Sequence, residues 1–255
     1  MTRRPLPQAF LTRPLAHRAL HGANPPARGP ENSRAAIRAA IAGGYGIEID
    51  LQRSGDDEAM VFHDYDLQRL TGREGPVAGL SAQELGAVML AGGEEGIPSF
   101  AEVLSLVAGR VPLLVELKDQ DGAMGAGVGP LEEAAARAAA GYVGPLAFMS
   151  FNPHSVAAMA ELAPGLPRGL TTAGYSEAHW PDLPAEVRDH LREIPDFERV
   201  GASFISHDAA DLASAPVARI KAAGYPVLCW TIRSQAAAAE ARQVADNITF
   251  EGFAA

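Results

Sequence analysis

Gly46-Ile47-Glu48-Ile49-Asp50-Leu51-Gln52-Arg53-Ser54-Gly55-Asp56-Asp57-Glu58-Ala59-Met60-Val61-Phe62-His63-Asp64 decides how the rest of the chain is read. From Gly46 to Arg53 the side chains alternate in the strand period, with Ile47, Ile49 and Leu51 on one face and Glu48, Asp50 and Gln52 on the other. Two carboxylates one pleat apart are costly on a buried face, and a divalent cation between them would remove the cost. Ser54 to Asp57 reads as a turn, followed by a second apolar run, Ala59 to Phe62. So short a loop cannot make a parallel crossover, so the two runs are expected to form an antiparallel hairpin. Folding back near Asp56 brings His63 level with Glu48 and Asp50.

The chain around this hairpin has a regular rhythm. Upstream, residues 1–13 read as an unstructured lead-in, Leu15 to Leu20 as a first strand ending in His17-Arg18, and His21 to Pro30 as a loop. A helix is expected from Asn32 or Ser33 to Gly43-Gly44. Downstream, residues 65–97 are too long for a simple connection and read as a small insertion, with a short helix opened by the capping-box pattern Ser81-x-x-Glu84. A second capping box, Ser99-x-x-Glu102, opens a regular alternation of helices and strands. Asn152-Pro153 supplies one helix start within it. Candidate parallel strands fall near residues 15, 47, 113, 148, 169, 205, 229 and 249, eight in all. Eight strands alternating with helices predict an α/β chain folded as a closed (β/α)8 barrel over residues 14–255, with the insertion after the second strand. A doubly wound open sheet is the competing fold. No glycine-rich phosphate loop or dinucleotide fingerprint supports it.

Composition excludes several classes. The formal charge of −10 argues against general binding to nucleic acid or anionic membranes. The single cysteine, Cys229, rules out an intramolecular disulfide, lies in an apolar run that suits a core filler, and fits a reducing, cytoplasmic location. No apolar run is long enough to cross a membrane, and no secretory signal or membrane anchor is evident.

Active sites of such barrels lie at the C-terminal strand ends. The polar residues expected there are His17 and Arg18, Glu48 and Asp50, Glu116 and Lys118, Asn152, Thr172, His207-Asp208, and Trp230 with Arg233. Three carboxylates with few imidazoles make a hard oxygen site, suited to Mg²⁺ or Ca²⁺ rather than Zn²⁺. Two histidines and an arginine beside them are the parts for acid–base chemistry on a phosphate ester. The competing structural readings are a solvated acidic strand face for Glu48 and Asp50, a core histidine at His63, and a counter-ion role for Lys118. Trp230 is read as core or pocket wall, His207-Asp208 as pocket lining at most, and His21, His154, His179 and His190 as solvated.

The ordered set His17-Arg18, Pro30-Glu31-Asn32, Glu48-x-Asp50, Phe62-His63-Asp64, Glu116-x-Lys118, Ser150-Phe151 and Trp230-Thr231 resembles the glycerophosphodiester phosphodiesterase family. The resemblance implies the barrel and its insertion, a divalent cation, and hydrolysis of glycerophosphodiesters to glycerol 3-phosphate and an alcohol. It further implies His17 and His63 as the acid–base pair, Arg18 and Lys118 as phosphate contacts, Trp230 as a substrate-binding residue, and Glu48, Asp50 and Glu116 as metal ligands. The expected partner is a small-molecule phosphodiester. The alternatives are a lysophospholipase D-like activity on a lipid, a catalytically silent barrel binding a phosphorylated ligand, and a sugar-phosphate isomerase or aldolase. The chain departs from the family pattern at Ala19, where a glycine is usual, in the longer loop that carries His21, Asn24 and Arg28, and in the terminal run Asp246 to Glu251.

Overall fold

The structure, a computed structural model, describes residues 3–22 and 27–255. Residues 23–26, within the expected loop and including Asn24, lie outside it. The first elements are α1 (Ala9–Thr12), β1 (Leu15–Ala16), α2 (Arg34–Gly43) and the hairpin of β2 (Gly46–Arg53) with β3 (Ala59–Val61). Two short helices, α3 (Gln68–Thr71) and α4 (Ala82–Ala87), and a 3₁₀ turn follow. The alternating part comprises α5 (Phe100–Val107), β4 (Leu113–Leu117), α6 (Pro130–Ala139), β5 (Leu146–Ser150), α7 (Pro153–Leu162) and β6 (Arg168–Thr172). It continues through α8 (Ala185–Arg192), β7 (Phe204–Asp208), α9 (Ala215–Ala222), β8 (Val227–Ile232), α10 (Gln235–Ala241) and β9 (Asn247–Phe250).

Strands β1, β2 and β4 to β9 are parallel, and β1 pairs with both β2 and β9, so the sheet closes into an eight-stranded (β/α)8 barrel. β3 runs antiparallel to the end of β2, with Leu51 opposite Val61 and Arg53 opposite Ala59. Local chemistry sets the helix starts. Ser33 accepts the Ala36 N–H, Ser81 and Ser99 form complete capping boxes, and Asn152 accepts the His154 N–H ahead of Pro153.

Side-chain alternation sorts the barrel into an outer and an inner core. Ile47, Ile49, Val115, Phe148, Leu170, Ile205, Cys229 and Ile248 belong to the large cluster shared with the helices. Cys229 is fully buried there, and burial pushes its thiol up to about 12, as suits a core filler. Leu15, Leu114, Ala147, Met149, Phe204 and Leu228 form a separate cluster inside the barrel, together with Leu6 and Phe10. The expected unstructured lead-in is therefore partly wrong: residues from Leu6 onward pack into the barrel's lower opening. Their apolar pattern covers barely one turn and shows no amphipathic stripe, so its burial surface is supplied only by the closed sheet. Asn247 latches the segment, its Nδ2 donating to the carbonyls of Phe10 and Arg13 at 2.6 Å each.

Gly169 makes room for this inner core. A Cβ at that position would lie 2.5 Å from the Phe204 ring. Gly169→Ala is expected to lower unfolding stability by roughly 1–3 kcal/mol through overpacking, read from urea denaturation midpoints; an unchanged midpoint would contradict this packing.

Residues 65–97 wrap beside the hairpin. Met60 and Phe62 pack with Leu67, Val77, Leu85, Val88, Leu90 and Ile97 in a satellite cluster.

Candidate active site

The register of β2 and β4 assembles the acidic cluster. Asp50 lies opposite Glu116, and alternation places Glu48 on the same inward face as Asp50. One carboxylate oxygen from each of Glu48, Asp50 and Glu116 lies within 4.8 Å of the others, and all three residues are buried. Like charges at that spacing repel by at least ~3 kcal/mol per pair at the effective dielectric of protein sites.

The chain's own cations offset only part of this. Lys118 Nζ reaches Asp50 Oδ1 at 2.7 Å and also contacts Glu116. Arg18 Nε lies 3.6 Å from Asp50 Oδ2, and Asn32 Nδ2 donates to the same oxygen at 3.0 Å. Burial alone would raise Asp50, but Lys118, His63 and Arg18 outweigh it and hold the carboxyl well below its usual range. Glu48 goes the other way. Burial, then Asp50 and Glu116, push it well up, against one hydrogen bond from the Arg18 N–H at 2.9 Å. Burial also raises Glu116 despite Lys118. A buried set of hard oxygens carrying more negative charge than the nearby ammonium neutralises fits a divalent cation such as Mg²⁺ or Ca²⁺.

Two histidines flank the cluster in matching arrangements. His17 Nδ1 pairs with Glu251 Oε2 at 2.9 Å, and His63 Nδ1 with Asp64 Oδ1 at 2.7 Å. Among the described residues no protein partner engages either Nε2. Burial, then Lys118, lowers His63 to about 4, so it is neutral near pH 7. The hydrogen bond from His17 holds Glu251 down to about 2. Arg69, from α3, braces this side by holding both Asp64 and Glu31, and Glu31 in turn holds Arg18 at 2.9 Å.

Arg18 and Ala19 leave β1 through left-handed backbone, with φ of 51° and 66°. The family's usual glycine suits such a φ. At Ala19 the backbone cost of roughly 1–2 kcal/mol is only partly offset by burying a methyl worth about 0.8 kcal/mol, and the chain keeps the left-handed turn with Ala19 buried. The turn also half-buries His21, which had been expected in solvent, and burial lowers its pKa.

One cavity of about 430 Å³ is lined by His17, Arg18, Glu48, Asp50, His63, Glu116, Lys118 and Trp230, together with Ser206, Asp208 and Arg233. The eight residues to which the family resemblance gave roles therefore face a single space. Asn152 and Thr172 do not line it. Asn152 ties Asp119 to the Gly125 carbonyl, and Thr172 binds His207 Nδ1. His207 is buried and its Nε2 meets Asp211, so of that pair only Asp208 reaches the cavity. A contiguous recess of about 410 Å³ shares His63, Glu116, Lys118, Phe151 and Trp230 and adds Tyr65, Met124 and Trp180. Phe151 packs against Trp230 at 5.5 Å and Trp180 at 5.0 Å between ring centroids.

Sequence reasoning missed Glu251 as the partner of His17, Asn32 as a donor to Asp50, and the braces from Arg69. Glu251 and Asn32 carried a signal, lying at a strand end and in a quoted motif. Arg69 and Trp180 lie in connections whose path only the folded chain reveals.

The chain is similar to known proteins over nearly its whole length. The family model for the glycerophosphoryl diester phosphodiesterase family matches residues 17–247. YhdW of Bacillus subtilis strain 168, by its name a candidate glycerophosphodiester phosphodiesterase, is 26% identical over 240 residues, covering 89% of this chain and 88% of its own. A phosphodiesterase of Oleispira antarctica, solved with the product sn-glycerol-3-phosphate, is 26% identical with a TM-score of 0.74, covering 95% of this chain and 94% of that one. A glycerophosphodiester phosphodiesterase of Parabacteroides distasonis shares the fold at 22% identity and a TM-score of 0.69, covering 93% of this chain and 92% of that one. The chain belongs to the glycerophosphoryl diester phosphodiesterase family and is a phosphoric diester hydrolase.

Proposed function

We propose that the chain hydrolyses glycerophosphodiesters to glycerol 3-phosphate and an alcohol, with a divalent cation, Mg²⁺ or Ca²⁺, held by Glu48, Asp50 and Glu116. The observation that carries the reading is the convergence of these three buried carboxylates with His17 and His63 on one cavity. A bound cation would supply charge neutralisation at the phosphoryl oxygens. Arg18 and Lys118 contact the phosphate and hold the diester over the carboxylates. A water oxygen bonds to phosphorus as the bond from phosphorus to the alcohol oxygen breaks. One imidazole takes the proton from that water, and the other gives a proton to the departing oxygen. Glu251 and Asp64 keep the two rings oriented through their Nδ1 atoms. The substrate of this reading is a small-molecule phosphodiester, and the site of action is the cytoplasm, whose reducing conditions suit the single buried cysteine. The test is a screen of glycerophosphodiesters after EDTA treatment, with Mg²⁺ or Ca²⁺ restored, following glycerol 3-phosphate. Cation-dependent release from at least one diester is expected; release that survives chelation would sink the metal assignment.

The apolar recess favours a second reading of the substrate, a lysophospholipase D-like activity on a lysophospholipid, whose head-group alcohol leaves while the apolar chain stays with the glycerol that keeps the phosphate. The carboxylates around the recess are already engaged: Asp64 by His63 and Arg69, Glu116 by Lys118, and Asp119 by backbone N–H groups and Asn152. Tyr65, Met124, Phe151, Trp180 and Trp230 supply the remaining wall. Trp180→Ala is expected to lower kcat/KM for a lysophospholipid at least ~10-fold, the loss of one buried aromatic contact, while glycerophosphoethanolamine turnover changes less than about two-fold by the same argument. Equal losses on both substrates would assign Trp180 to packing alone.

A further inference from the structure

Lys118 occupies an unusual position for a residue that is to meet a phosphate. Its ammonium bridges Asp50 and Glu116, two of the three carboxylates in the cation cluster, with Nζ 2.7 Å from Asp50 Oδ1. The ammonium is thus held between two carboxylates on neighbouring strands. A divalent cation drawn to the same oxygens meets that charge at close range. The alternative partners are few: Arg18 is already shared between Glu31 and Asp50, and Gln120 donates to Gln52 and to the Lys118 carbonyl rather than reaching the cluster. The lysine stem is flexible, and its head lies on the wall of the cavity into which a phosphate must come.

We propose that Lys118 couples cation binding to phosphate binding by competing for the carboxylates. With no phosphate present, the ammonium stays on Asp50 and Glu116 and weakens cation affinity. An anionic phosphoryl oxygen gives the ammonium a new partner, draws it off the carboxylates, and frees their oxygens for the cation. Linkage makes the effect reciprocal: the factor by which phosphate tightens the cation is the factor by which the cation tightens phosphate. The enzyme thereby assembles its charged centre only when substrate is there. This rests on the proposed cation site and names the residue that regulates its filling.

The test is isothermal titration of Mg²⁺ into the EDTA-stripped full chain, alone and with saturating sn-glycerol 3-phosphate, for wild type, Lys118→Met and Lys118→Arg. Wild type is expected to bind Mg²⁺ at least ten-fold tighter with glycerol 3-phosphate. Lys118→Met is expected to bind Mg²⁺ at least five-fold tighter than wild type without glycerol 3-phosphate, and its enhancement by glycerol 3-phosphate is expected to shrink by the same factor. Any direct contact between cation and phosphate adds equally to both proteins and cancels in that comparison. Lys118→Arg keeps the charge and is expected to behave as wild type, with thermal melts showing that each variant is folded. Unchanged or weaker Mg²⁺ binding by folded Lys118→Met overturns the coupling. If wild type hydrolyses diesters with Mg²⁺ while that variant shows no tightening, the coupling alone fails. If wild type binds no Mg²⁺, the cation site fails with it.

Discussion

Glu48→Gln is expected to abolish cation-dependent hydrolysis, with kcat falling at least ~10³-fold, while the cation-free protein becomes no less stable. Losing one of three anionic ligands forfeits several kcal/mol of charge stabilisation, and about 1.4 kcal/mol is a factor of ten in rate. The stability half of the expectation follows from burial. Glu48 is buried beside two carboxylates, which raises its pKa above the unfolded value. A carboxyl with a raised folded-state pKa costs nothing below its unfolded pKa, where both states are protonated. The cost grows as pH rises through the ordinary glutamate range toward the folded value. Glutamine keeps the shape and carries no charge, so in EDTA the stability advantage of the variant should widen from about pH 4.5, the ordinary glutamate range, upward. Chemical denaturation across that range, beside turnover with saturating Mg²⁺, checks both halves. A variant that keeps wild-type turnover would remove Glu48 from the site; one that is strongly destabilised at neutral pH would contradict the charge balance described above.

His63→Ala and His17→Ala are each expected to lower kcat by about 10²–10⁴-fold, the usual contribution of a positioned proton-transfer group. The double variant should lose little more than the worse single one, because the two act in one turnover and their effects are not additive. Glu251→Gln removes the carboxylate that holds His17 Nδ1 at 2.9 Å but leaves the ring in place. A smaller loss, roughly ten-fold, is expected, together with a shifted pH–rate profile that a merely structural role would not produce. Full turnover by either alanine variant would take that histidine out of the mechanism.

Much of this was legible because barrel strands carry both signals at once. Alternation in Gly46–Arg53 specified a strand, and the same alternation placed Glu48 and Asp50 on one face. Glu116 and Lys118 followed from the neighbouring strand by the same rule. Capping boxes at Ser81 and Ser99 marked helix starts because their chemistry is local. Contacts that depend on distant segments were not legible. Leu6 and Phe10 have no periodic pattern to announce that they plug the barrel. The pairing of His17 with Glu251 joins residues 234 positions apart. Arg69 reaches Glu31 and Asp64 only because the segment that wraps beside the hairpin brings α3 back toward them. The aromatic recess combines Met124 and Trp180 from two connections with Phe151 and Trp230 from strand ends, a meeting that no linear spacing encodes.

The central claim, that Glu48, Asp50 and Glu116 hold one divalent cation beneath a phosphate flanked by His17 and His63, is tested most directly by diffraction from crystals grown with Mn²⁺ and sn-glycerol 3-phosphate. The account predicts one anomalous peak within about 2.0–2.6 Å of an oxygen from each of the three carboxylates, with phosphate density in contact with it. A peak bound elsewhere, or phosphate density remote from both imidazoles, would contradict it.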